Sequence, residues 1–221
     1  IYLNRLAAIW HIHYSGHTFN LYRLQETNMK KTAAGVVGAV ALMAAMAAQA
    51  APVTYQFDPD HTYPSFETDH FGGISTWRGK FTQTSGKVVV DTAKKTGELE
   101  AVINMDSFDS GNAGLNTHAK GAEILDVAKY PTAVYKGKLT KFKLGKPTEV
   151  VGELTLHGVT KPLNLKINSF KCFENPMSKK ETCGADATAK FDRAVFGIDY
   201  GKGYGFNMQT TLNIQVEGIR Q

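Results

Sequence analysis

Residues 153–157 read Glu153-Leu154-Thr155-Leu156-His157, and beyond Gly158-Val159-Thr160-Lys161-Pro162 the chain resumes as Leu163-Asn164-Leu165-Lys166-Ile167-Asn168. Apolar and polar residues alternate with period two on both sides of a turn, which is the pattern of half-buried antiparallel strands. The same alternation returns near the end, where Leu212, Ile214 and Val216 interleave with Asn213, Gln215 and Glu217. Further strands are expected at 54–57, 63–70, 79–90, 97–105, 133–143, 185–192 and 206–217. Residues 111–130 break the pattern: Leu115, His118 and Ala122, then Ile124, Leu125 and Ala128, stand at helical spacings before Pro131 stops the run. One or two short helices inserted between strands are expected there.

About eight antiparallel strands in one domain suggest a closed barrel or a sandwich. The polar faces carry Lys, Glu, Asp and Asn, and charges facing lipid cost about 2–4 kcal/mol each at the bilayer midplane. The apolar face therefore points inward, and the barrel is not an outer-membrane pore.

Ahead of this region, residues 29–50 combine Met29-Lys30-Lys31, an Ala/Gly/Val/Leu/Met run and Ala48-Gln49-Ala50, the three parts of a secretory signal peptide. Its apolar run is too short and too rich in Ala and Gly for a span of about 20 strongly apolar residues. Cleavage after Ala50 is expected, with 51–221 as one mature domain in the periplasm and 1–28 as an upstream extension. On that reading His11, His13 and His17 carry no site. The 25 Lys/Arg and 20 Asp/Glu of the full chain become 21 and 19, a net charge of +2 instead of +5. That balance removes the electrostatic case for nucleic-acid binding. Cys172 and Cys183, an even pair in an exported protein, read as a structural disulfide contributing about 3 kcal/mol.

A barrel of eight strands either fills its lumen with side chains or holds one small apolar ligand. Expected inward residues are Phe66, Trp77, Phe81, Ile103, Met105 and Tyr135 from the first half of the barrel. Leu154, Leu156, Phe191, Phe206 and Met208 extend the set. Aromatics and Met suit a ligand wall and a plain core equally, so periodicity leaves both open.

Signs of chemistry are sparse. Asp58, Asp60 and His61 flank Pro59 and read as turn caps rather than metal ligands; no metal site is expected. His157, before a turn on the wet face, reads as a surface or turn residue, and His118 falls in the helical insert. None of Ser65, Ser75, Ser107 and Ser110 lies in a nucleophile elbow. Gly201-Lys202-Gly203-Tyr204-Gly205 imitates a phosphate loop but is followed by a strand pattern, not a helix.

Four stretches stand in order and suitably spaced: Asp58-Pro59-Asp60-His61-Thr62 with Phe66-Glu67-Thr68-Asp69-His70 and Arg78-Gly79-Lys80-Phe81; Asp106-Ser107-Phe108-Asp109-Ser110-Gly111-Asn112 with Asp126-Val127-Ala128-Lys129-Tyr130-Pro131; 151–162; and Phe191-Asp192-Arg193-Ala194-Val195-Phe196-Gly197-Ile198. Together they resemble the YceI-like family of exported lipocalin-like barrels. Where the family shows an Arg-Asp pair before the middle His, this chain has Asn116-Thr117. The resemblance implies an all-β, eight-stranded antiparallel barrel holding a long polyisoprenoid chain, such as a quinone tail. Thr68 and His70, on the Phe66 face, are the candidate head-group contacts.

The expected function is thus a periplasmic carrier, monomeric or homodimeric, that needs no cofactor, performs no chemistry and touches membranes transiently. A secreted barrel with a filled core, acting as a surface or interaction protein, is the alternative. An isoprenoid-modifying enzyme is a weaker one.

Overall fold

Period-two alternation produces strands throughout residues 51–221, the part of the chain that the computed structural model describes. The signal-peptide reading of 29–50, the extension 1–28 and its three histidines lie outside the described residues. In chain order the strands are β1 (Val53–Phe57), β2 (Tyr63–His70), β3 (Ser75–Phe81), β4 (Thr84–Asp91), β5 (Thr96–Asn104) and β6 (Phe108–Asp109). After the helix α1 (Ala113–Lys120) come β7 (Thr132–Lys143), β8 (Lys146–Leu156), β9 (Val159–Pro162), β10 (Leu165–Glu174), β11 (Glu181–Asp192) and β12 (Gln209–Arg220).

Every pairing is antiparallel. The circuit β1-β4-β5-β7-β8-β10-β11-β12 returns to β1 and closes an eight-stranded barrel, with Tyr55 opposite Arg220 at the seam. The apolar face points inward, as expected. Outside, Lys136 and Lys138 of β7 pair with Glu100 and Glu98 of β5.

One expected strand bends where the sequence pattern runs straight, and two other breaks fall between expected strands. The expected strand 79–90 is two: β4 pairs with β1 and β5, whereas β3 pairs with β2 and β6. The break falls at Thr82 and Gln83, whose backbone N–H groups donate to the Ser107 carbonyl (3.1 Å) and Ser107 Oγ (3.1 Å). A matching break separates β1 from β2, both of which pair with β12. There the buried Thr62 hydroxyl donates to the Glu217 carbonyl and accepts from its N–H. The third bend, at Met105–Ser107, separates β5 from β6. Gly86 in β4 has φ +150°, and a Cβ there would lie 2.2 Å from the Glu100 carbonyl oxygen, so the ladder needs glycine.

One other expectation changes. Residues 158–162 are not a plain turn: β9 lies along β8, with Val159 opposite Leu156. The insert holds one α-helix. Asn112 caps it by accepting from the Leu115 N–H (2.9 Å), Gly121 ends it, and backbone-bonded turns follow, within the one or two helices expected.

Candidate functional site

The inward faces do not meet in the middle. They surround a cavity of about 800 Å³ that runs the length of the barrel, within the range of ligand-binding clefts. Small wall residues make the room: Ala101, Ala133, Ala185 and Ala187 stand where a larger side chain would fill the lumen. Tyr135 is held flat to the wall, its buried hydroxyl donating to the Leu163 carbonyl (2.8 Å). Gly152 permits that placement, because a Cβ there would lie 2.5 Å from the Tyr135 oxygen. Burial raises the Tyr135 pKa, so the phenol stays neutral.

The expected inward residues fall on this wall with one exception. Phe66, Trp77, Phe81, Ile103, Met105 and Tyr135 line the cavity, as do Leu154, Leu156, Phe191 and Phe206. Met208 is buried but does not line it. It precedes β12, and its carbonyl accepts from the Arg193 N–H (2.9 Å), an arrangement that alternation cannot anticipate. Thr68 and His70 both line the cavity. His70 stacks on Trp77 (4.5 Å between centroids, 18° between planes) and meets the Phe206 ring edge-on at 5.2 Å.

The wall turns polar towards one end, where the helix and the segment between β11 and β12 cover the barrel. Arg193 lies there, unnoticed in sequence except as part of a family-like block. Its Nη1 and Nη2 donate to the carbonyls of Ile198 (2.7 Å) and Tyr200 (2.8 Å), while its buried Nε has no partner. Burial lowers the guanidinium pKa, and the carboxylates of Asp199, Asp192 and Asp69 act against that shift. Thr68 Oγ1 is buried without a partner as well. His118 reaches the cavity against Tyr200 (5.0 Å). Backbone N–H groups of Gly72 and Asn207 both donate to Asp69 Oδ2 (2.8 Å each), tying the β2–β3 turn to the segment before β12.

The remaining candidates serve the frame. Asp58 accepts from the Asp60 N–H (3.0 Å) and pairs with His61 (2.8 Å), a cap of the β1–β2 bend with Glu217 nearby. His157 is not a plain surface residue. It sits at φ +51°, half-buried, with its ring on Tyr130 (4.2 Å) and its Nδ1 3.2 Å from the Phe196 carbonyl. Cys172 and Cys183 are directly opposite each other on β10 and β11 and form a disulfide.

A closed eight-stranded antiparallel barrel around an apolar cavity is a lipocalin-like barrel, an architecture with room for one small apolar ligand. The chain belongs to the YceI-like domain family, which matches it over residues 55–218. It is 33% identical over 195 residues to a UPF0312 protein of Pseudomonas putida strain W619, covering 87% of this chain and 99% of that protein. It is 30% identical over 194 residues to Protein YceI of Salmonella agona strain SL483, covering 87% and 100%. A polyisoprenoid binding domain from Saccharophagus degradans shares the fold, with a TM-score of 0.55 at 14% identity over 76% of this chain and 98% of that domain.

Proposed function

We propose that the protein is a periplasmic carrier that holds the long isoprenoid chain of a quinone or polyprenyl compound in its lumen and performs no chemistry on it. The observation that carries this reading is the cavity: one continuous space of about 800 Å³ walled by apolar side chains from all round the barrel, with a few polar groups at its ends, Thr68, His118 and Arg193 at the covered one and Thr92 and Glu181 at the other. A prenyl chain offers no hydrogen bonds, so its affinity must come from buried area, at about 25 cal/mol per Å². Its oxygen-bearing end suits the covered end, where Arg193 Nε and Thr68 Oγ1 are donors without partners. The polyisoprenoid-binding domain of the same fold supports the ligand class.

Export accounts for the location. The curated relatives align over more of the chain than residues 51–221 make up, so the likeness extends into the segment that reads as a signal peptide. A filled core is disfavoured by the open lumen.

Titration of the delipidated protein with ubiquinone, read by quenching of Trp77 on the cavity wall, tests the reading. Saturable one-to-one quenching is expected. Quenching that never saturates, or is matched by an unrelated soluble protein, would overturn it.

A further inference from the structure

The end of the barrel away from the helix has an unusual surface. The β4–β5 hairpin turns there at 92–95, β7–β8 at 144–145 and β10–β11 at 175–180. These strands are consecutive in the sheet, so the three tips lie side by side along one arc of the rim. Two tips carry bare apolar side chains: Leu144 is 93% exposed and Met177 88%. Around them stand exposed lysines. Among the described residues, Lys95, Lys143, Lys146, Lys179 and Lys180 have no carboxylate within ion-pair distance, whereas Lys94 and Lys141 do. With 21 cations against 19 anions in 51–221, such a concentration leaves the rest of the surface without excess positive charge.

We propose that this rim is a docking face for an anionic lipid bilayer, with the lysines against lipid headgroups and Leu144 and Met177 in the headgroup–acyl boundary. Isolated apolar points ringed by lysines match a fluid interface, which yields around each point. A protein partner would instead need about 800 Å² of matched surface per side. The cavity reaches the surface at this rim as well, through the exposed wall residues Thr92 and Gly145. Docking there would bring the lumen to the lipid that supplies its cargo; that purpose rests on the carrier reading, although docking itself needs no cargo.

Co-sedimentation of the protein with vesicles of phosphatidylcholine, alone or mixed with phosphatidylglycerol, tests the face. Binding is expected only with phosphatidylglycerol present, and weakening as salt rises. Lys143→Gln with Lys146→Gln should lower affinity roughly thirtyfold, about 2 kcal/mol at about 1 kcal/mol per lysine. Leu144→Ser should weaken the binding that survives salt, while Ile74→Ser, exposed at the opposite end and off the cavity wall, should leave it unchanged. Absence of vesicle binding, binding indifferent to the tip variants, or selective capture of an acidic protein in place of vesicles would overturn the proposal. Ubiquinone titration of the same preparation separates the claims: vesicle binding without cargo binding defeats the carrier reading alone, and the reverse defeats the docking face alone.

Discussion

Replacing Ala187 with Phe separates an open lumen from a filled one. Ala187 is buried in the middle of β11, lines the cavity and lies between Ile167 of β10 and Ile214 of β12, which line it too. Its added ring must enter the lumen. If that space is empty in the unloaded protein, the ring fills a cavity and stabilises the fold by about 0.5–2 kcal/mol. If the core is already packed, the same ring overpacks it and destabilises by about 1–3 kcal/mol. The two accounts differ in sign, which urea unfolding of delipidated protein, followed by Trp77 emission, resolves. The ring also displaces about one five-carbon unit of any prenyl chain. At about 0.8 kcal/mol per buried carbon that is about 4 kcal/mol, or roughly a thousandfold in Kd. The expected result is a more stable protein that no longer binds ubiquinone. A destabilised variant that binds as before would refute the reasoning.

Three further outcomes follow from the frame. Cys172→Ser with Cys183→Ser should lower stability by about 2–3 kcal/mol, measurable by urea unfolding, with no further loss on adding reductant. Tyr135→Phe leaves the Leu163 carbonyl without its buried donor and should cost about 1–3 kcal/mol by the same measurement. The hydrogen bond to Asp58 and its negative charge raise the His61 pKa above the ordinary value of about 6.5. A raised folded-state pKa gives stability that is full below that value and lost as pH rises through the folded one. Thermal unfolding across pH 6–8 (roughly the range where histidine titrates) should show this loss in the parent and not in His61→Gln.

Much of the barrel was legible because alternation is a local signal. Strands 63–70 and 133–143 match β2 and β7 to within a residue, and the inward set from Phe66 to Phe206 falls on one wall. What escaped depends on contacts distant in sequence. The bend at Thr82 is fixed by Ser107, a partner not visible from the residues that bend. Met208 follows the alternation on paper, but β12 has not yet begun there and its carbonyl is engaged by Arg193. Arg193 was hidden for the opposite reason. A lone arginine says nothing until Ile198 and Tyr200 fold back onto it and leave its Nε turned from water. Whether small residues such as Ala101 and Ala187 leave a void or meet larger side chains is a sum over the whole wall, which no window of sequence contains.

The central claim is that the lumen carries a prenyl lipid. Native mass spectrometry of the protein purified from a bacterial periplasm, with mass analysis of its organic extract, addresses it directly. The account predicts a one-to-one adduct whose extracted component is a quinone or polyprenyl compound, and its absence from Ala187→Phe prepared alongside. Parent protein that emerges at its bare mass, with no isoprenoid in the extract, would contradict it.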